Sequence, residues 1–264
     1  MNELPVINFE NLIFRKEISF PEKLSSELAE EIGIHIGDGS LVLRKKEGHY
    51  DYFVCLSTEE ESYKNHVIKL IKKIYGILPS RIDIDKNSVN IEYSSKLLLL
   101  WKSSMGLPIG NKKDITIPEI ISSSVFITDC LRGIFDTDGS VTFKKKGHNY
   151  HTYPVLKIDN KNYRLIVQIN SILRNIGITS SFQLNRPRIS SNGSKSFVST
   201  IYVSGKSNTV KWFKLISPKN EIHITKYHLW KKFGFCPPKT TLEERKLMLN
   251  GKMNPRTFYA EGGI

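Results

Sequence analysis

Two aspartates recur in the same short context. Asp38 stands in Ile32-Gly-Ile-His-Ile-Gly-Asp-Gly-Ser40, and Asp138 stands in Arg132-Gly-Ile-Phe-Asp-Thr-Asp-Gly-Ser140, offset by 100 positions. In both, a helix-compatible run reaches the aspartate and glycine follows, the residue that most easily takes the left-handed turn ending a helix. A carboxylate there adds to the negative end of the helix dipole. Two such carboxylates side by side suit a hard divalent cation, which prefers carboxylate oxygens and keeps several waters. Carboxylates with Mg²⁺ in turn suit phosphodiester hydrolysis, in which the ion activates water and stabilises the leaving oxygen. One Asp-Gly-Ser alone would read as a helix stop ahead of a strand. Two copies, each behind a face of small residues and each followed by a strand, favour a shared site.

Helices must bring the acids together. Gly33 and Gly37 are four apart and share a helix face, and Gly133 and Thr137 repeat the spacing. Small residues on one face let two helix backbones approach closely. Around them stand Ile32, Ile34, Ile36, Leu131, Ile134 and Phe135. Two such helices packed face to face would end together at Asp38 and Asp138.

The repeat runs further than the motif. Ile74-Tyr-Gly-Ile77 matches Asn175-Ile-Gly-Ile178 at an offset of 101, and Tyr93-Ser-Ser-Lys96 matches Val203-Ser-Gly-Lys206 at 110. A slowly drifting offset is that of a duplicated unit with loop insertions, and the period is too long for a solenoid. Each copy reads as helix, two strands, helix, two strands, helix. In the first these are Leu24–Asp38, Ser40–Arg44, Asp51–Ser57, Glu61–Tyr75, Arg81–Asp85, Ser88–Ser94 and Lys96–Ser104. In the second they are Val125–Asp138, Ser140–Lys145, Tyr153–Asp159, Lys161–Asn175, Ser180–Pro187, Lys195–Ser204 and Lys206–Leu215. The expected class is α+β, two pseudo-symmetric αββαββα halves. The expected division is an N-terminal extension (1–23), a first half (24–110), a linker (111–124) holding Pro118, a second half (125–235) and a C-terminal tail (236–264) read as an appendage.

Composition narrows the partners. The 264 residues hold 39 Lys and Arg against 26 Asp and Glu, a net charge of +13. Such a balance fits a nucleic-acid binder, although a generally basic protein would share it. The densest apolar run, Leu97–Trp101, is far short of the ~20 residues a membrane span needs. No secretory signal is expected from the N-terminal residues, so an intracellular setting (prokaryotic cytoplasm or an organelle) is expected. Cys55, Cys130 and Cys236 form no CxxC pair, so neither a disulfide framework nor a zinc ribbon is supported.

Leu131-Arg-Gly-Ile-Phe-Asp-Thr-Asp-Gly139 closely resembles the LAGLIDADG motif of the homing endonucleases. Glu31-Ile-Gly-Ile-His-Ile-Gly-Asp-Gly39 resembles a more diverged copy, with Ile36 where Asp136 stands in the second. The resemblance covers about 200 residues of αββαββα pattern. It implies saddle-shaped antiparallel sheets with the motif helices packed at the interface between the halves. It also implies a monomer that cuts both strands of a long double-stranded DNA target and leaves short 3′ overhangs. The acids would be Asp38 and Asp138, and the metal site would involve Asp38, Asp138, Gly37 and Thr137. The cofactor would be Mg²⁺ or Mn²⁺, with Ca²⁺ as a non-catalytic substitute.

The family places a lysine or another polar residue near each centre. Lys113, beside Lys112 and ahead of Ile115-Thr-Ile-Pro118, is the candidate in the first half, and Lys226 in the second. A solvated surface lysine is the alternative for each. For DNA contact the candidates are Arg44, Lys45, Lys46, Arg81 and Lys86, then Lys144, Lys145, Lys146, Arg186, Arg188 and Lys195. A basic strand face can lie along the major groove, with arginine reading guanine and lysine meeting phosphate. Singly each could be a solvated loop residue, but they recur at matching places. His148 and His151 read as loop residues, and His35 as packed within its helix. The favoured function is an intron-encoded or free-standing endonuclease. The alternatives are a maturase that binds intron RNA and a non-catalytic DNA-binding regulator. An intein setting is disfavoured by Met1 and by the lack of a C-terminal His-Asn.

Overall fold

The computed structural model describes residues 4, 18–44, 48–146, 149–189 and 193–259. By contact the chain divides into two compact units, Met1–Asp138 and Gly139–Ile264.

The first unit begins with helix α1 (Ser26–Gly37), strands β1 (Gly39–Arg44) and β2 (His49–Ser57), and helix α2 (Glu61–Tyr75). Strands β3 (Arg81–Ile84) and β4 (Ser88–Ser94), helix α3 (Lys96–Ser104), the short α4 (Glu119–Ser122) and α5 (Ile127–Asp138) complete it. Its sheet is antiparallel in the order β1-β2-β4-β3. The second unit holds β5 (Gly139–Lys144), β6 (Tyr153–Asn160), α6 (Tyr163–Asn175), β7 (Ser181–Ile189) and β8 (Lys195–Ser204). Helices α7 (Lys206–Leu215), α8 (Glu221–Phe233) and α9 (Leu242–Leu249) follow. Its sheet repeats the same order, β5-β6-β8-β7, again antiparallel. The fold is α+β with a duplicated topology, as the sequence repeat predicts.

Local chemistry sets the ends. Ser25 Oγ accepts from Leu28 N (3.2 Å) at the start of α1, and Ser95 Oγ accepts from Leu98 N (3.2 Å) at the start of α3. Gly76 ends α2 at φ 74°, the left-handed conformation a side chain would resist. The sheets align corresponding rows: Leu41, Tyr52 and Tyr93 face one another in the first, Val141, Leu156 and Val203 in the second. All six are buried.

Helices α4, α8 and α9 go beyond the elements read from the sequence. Helix α8 interleaves lysines and histidines with aromatics, so its apolar period is blurred. Helix α9 follows Pro237-Pro238, which reads as loop. It starts instead at Thr241, whose hydroxyl accepts from Glu244 N (3.2 Å) while Thr241 N donates to the Glu244 carboxylate (2.7 Å). The expected appendage is folded as far as Tyr259. Cys236 and Met248 are buried with Leu229 and Trp230, and the buried Arg245 donates to Thr225 Oγ1 (2.9 Å). Among the described residues, no helix is long and apolar enough to cross a membrane.

Candidate active site at the ends of the paired helices

Helices α1 and α5 pack through their small residues. A Cβ on Gly33 would land on the carbonyl oxygen of Cys130 and stand 3.1 Å from Gly133 Cα. One on Gly133 would land on the carbonyl oxygen of Glu30, 2.6 Å from Ile34 N. Backbone cannot swing aside, so glycine is required at both places. At the next turn Gly37 faces Thr137, whose hydroxyl folds back onto the carbonyls of Gly133 (2.8 Å) and Ile134 (3.1 Å). Charge also ties the helices: Arg132 on α5 meets Glu30 on α1 at 2.8 Å, and Ser26 Oγ donates to Asp129 at 2.8 Å.

The acids lie together at the far end. Asp38 caps α1, its N–H donating to Ile34 O (2.9 Å), and Asp138 is the last residue of α5. A Cβ on Gly37 would stand 3.7 Å from the Asp138 carboxyl carbon. Burial first, then the charges of Asp138 and Glu60, push the Asp38 carboxyl up to about 7, and Lys112 only partly opposes them. Crowded carboxylates of this kind are stabilised by a cation. The donors fit a hard divalent ion, with Asp38 and Asp138 to hold it. Among the described residues no group of three or more His, Cys, Asp or Glu could hold a metal, so further ligands would come from water and substrate oxygens. Of the other two residues expected at the metal, Gly37 offers a carbonyl that already accepts from Lys112, and the hydroxyl of Thr137 is bonded within its own helix.

Lys112 is the lysine turned toward the acids. Its Nζ donates to the carbonyls of His35 (3.4 Å), Ile36 (3.1 Å) and Gly37, the orphan carbonyls at the end of α1. Burial lowers its pKa, while Asp138 and Asp38 pull it back up. Lys113 is exposed, and its N–H donates to Asn111 Oδ1 (3.0 Å). Lys226 sits on α8 in the second unit, where its charge and that of Arg245 oppose the burial that raises Cys236 to about 11. His35 is fully buried and stacked on Tyr52 at 5.3 Å, and burial holds its imidazole well below the usual range.

Strand register sorts the basic residues. Residues opposite one another in an antiparallel pair share a face. In the first sheet Arg44 and Arg81 lie opposite the buried row, in company with Asp51, Asp83 and Glu92. Arg81 Nε meets Asp83 at 2.7 Å, and Arg44 Nε lies 3.9 Å from Asp51. Lys86 is exposed in the β3–β4 turn, and Lys45 and Lys46 lie outside the described residues. In the second sheet the matching face carries Lys144, Lys157, Arg186 and Arg188, with Asp159. A bulge makes this so. Gln183 pairs with Thr200 and Arg186 with Val198, so β7 spends one extra residue, and Asn185 takes φ 49°. Without it Arg186 would point to the opposite face. Lys195 pairs with Ile189 and takes that opposite face. Lys145 and Lys146 follow β5, the latter with Nζ 4.4 Å from the centre of the Tyr153 ring.

Residues 126–223 match the LAGLIDADG-like domain family. The matched stretch lies within the second repeat. Two uncharacterized Methanocaldococcus jannaschii proteins, MJ0314 and MJ0398, are 25% identical over 171 residues and 24% identical over 170. The match covers 64% and 62% of this chain and only 61% and 54% of those relatives. A variant of I-SmaMI superposes with a TM-score of 0.54 at 14% identity, covering 90% of this chain and 100% of that one. The LAGLIDADG homing endonuclease I-GzeII, in complex with its DNA target, gives 0.52 at 9%, covering 90% and 96%. A variant of I-DmoI in complex with its nicked target DNA in the presence of Mn gives 0.51 at 17%, covering 74% and 98%. The chain therefore has the LAGLIDADG homing endonuclease fold, with two repeated halves.

Beside the first LAGLIDADG-like motif lies a network outside the sequence reading. Glu31 and Lys102 are both fully buried, Lys102 Nζ meeting the two carboxylate oxygens at 2.6 and 2.7 Å. Tyr75 Oη donates to Glu31 at 3.0 Å, and Lys102 Nζ lies 4.2 Å from the centre of the Tyr52 ring. A signal was available: Lys102 directly follows the apolar run Leu97–Trp101, and Glu31 stands where the other motif has Leu131.

Proposed function

We propose that this protein is a site-specific DNA endonuclease that cuts both strands of a long target by metal-dependent phosphodiester hydrolysis, leaving short 3′ overhangs. The observation that carries the reading is the meeting of Asp38 and Asp138 at the ends of two helices whose glycines force the approach. Mg²⁺ or Mn²⁺, when bound, would activate water and stabilise the leaving oxygen. Asp38 and Asp138 would hold the ion, and Lys112 fixes the end of α1 and places positive charge beside both acids. The basic strand face would meet phosphate and base edges. Both motifs lie in one chain, so a monomer suffices. I-DmoI has been crystallised with DNA and Ca, and variants of it with target DNA in the presence of Mn or Mg, which supports a divalent cation here.

Cleavage of a randomised duplex library with Mg²⁺ tests this. Wild type is expected to give sequence-specific double-strand cuts, and Asp38→Asn and Asp138→Asn to abolish cutting or reduce it to nicking. If both variants cut normally, the acids are misassigned. If wild type binds intron RNA and cuts no DNA, the maturase reading replaces this one.

A further inference from the structure

The net charge of the protein is unevenly placed. Residues 1–138 hold 17 Lys and Arg against 21 Asp and Glu, a net of −4, and residues 139–264 hold 22 against 5, a net of +17. The whole positive excess therefore belongs to the second unit. The sheet faces show the same division. On the face opposite the buried row, the first sheet sets Arg44 and Arg81 against Asp51, Asp83 and Glu92, and both arginines lie within ion-pairing reach of a carboxylate. The second sets Lys144, Lys157, Arg186 and Arg188 against Asp159 alone, which is engaged by Lys157 (3.3 Å) and Thr200 (2.5 Å). Arg186 and Arg188 are exposed, and the bulge at Asn185 puts them on this face.

We infer that the second unit supplies most of the affinity for duplex DNA and nearly all of its salt dependence, with Arg186 and Arg188 as principal contacts, while the first unit binds its half of the site weakly. Affinity for a polyanion comes largely from counterions released as cations meet phosphate. An arginine already paired with a carboxylate releases fewer, and carboxylates on the same face repel the backbone. The first half is then left to discriminate by shape and hydrogen bonds, and Glu92 and Asp83 can accept from cytosine amino groups but not from phosphate.

This inference rests on the DNA-binding reading, and the experiment separates the two. The probe is a labelled duplex of about 30 base pairs of mixed sequence, in Ca²⁺, titrated with full-length protein from about 0.05 to 0.3 M KCl. The double variant R186Q/R188Q is expected to flatten the slope of log K against log salt by about 1.8 and to weaken binding tens-fold near 0.1 M. R44Q/R81Q is expected to change the slope by less than about 0.5 and binding by less than about threefold. R186K/R188K keeps the charge and should keep the slope, which separates charge from misfolding. Asn185→Val, strained at its positive φ, is expected to weaken binding, and Asn185→Gly to keep it. Equal losses from the two double variants, or a greater loss from R44Q/R81Q, would overturn the asymmetry alone. Wild type without salt-dependent binding would overturn the DNA reading and the asymmetry with it.

Discussion

The two repeats fill corresponding core positions with opposite chemistry. In the first stand Glu31, Tyr52, Tyr75, Tyr93 and Lys102; by register and motif the counterparts are Leu131, Leu156, Ile176, Val203 and Trp212. One copy buries an ion pair ringed by phenols, and the other holds hydrocarbon and an indole, buried at every place but the half-buried Ile176. Sheet order, strand pairing and the close approach of α1 and α5 are shared or mutual. The backbone plan is therefore held by the small helix residues and the turns, and the core at this layer accepts either solution. The polar one is conditional: a buried ion pair adds little over an apolar replacement, yet losing one partner strands a charge.

The largest effect should come from stranding that charge. Lys102→Met is close to the native side chain in length but leaves Glu31 fully buried without its cation. A loss of about 3–5 kcal/mol is expected. Denaturant melts of wild type and variant measure it, and a loss under about 1 kcal/mol would mean that water or a tyrosine takes over from the lysine.

Next in size is a pH effect at the helix ends. The Asp38 pKa, about 7, is above its unfolded value of 3.8, so the folded state binds more protons between the two. Asp38 then disfavours the fold increasingly as pH rises from about 4 to about 7, by up to about 4 kcal/mol without divalent ions. Asp38→Asn should melt higher than wild type at pH 8 and close to it at pH 4, and added Mg²⁺ should raise wild type alone. A gap that does not vary with pH would show that neither burial nor the Asp138 charge raises the Asp38 carboxyl.

A smaller effect compares the lysines of the two repeats. Lys112→Met removes the cap on the last carbonyls of α1 and the charge beside both acids. Cleavage should fall about 10–100-fold, or ~1.4–2.7 kcal/mol in barrier. Lys113→Met should leave the rate within about twofold. If Lys226→Met matches Lys112→Met, the two repeats use equivalent lysines; if it matches Lys113→Met, the support is one-sided.

Much of this plan is legible in the sequence because it is local. A small-residue face, an Asp-Gly stop and alternating strands are written in neighbouring residues, so the paired acids and both sheets can be read. What escapes depends on distant partners. Lys112 and Lys113 are adjacent and chemically alike, and only the path of the chain after α3 decides which turns toward α1. The bulge at Asn185 reverses which face Arg186 occupies, and Asn in Leu184-Asn-Arg186 is a weak sign of it. The tail reads as an appendage because its proline pair precedes a helix whose cap lies at Thr241.

The smallest expected effect tests the comparison most directly. Glu31→Leu with Lys102→Met gives the first repeat the apolar chemistry of Leu131 and Trp212 at these two positions. Each single change strands a charge, so their losses should not add. The double variant should fall within about 1 kcal/mol of wild type or gain up to a few, with a coupling energy near the sum of the two single losses. The phenol of Tyr75 sets the upper bound, because it donates to Glu31 in the native protein and would lose that acceptor. Adding Tyr75→Phe should recover about 1 kcal/mol if the hydroxyl is left without an acceptor. A double variant as unstable as the worse single one would show that the pair organises the first repeat in a way hydrocarbon cannot replace, and the two cores would then not be interchangeable.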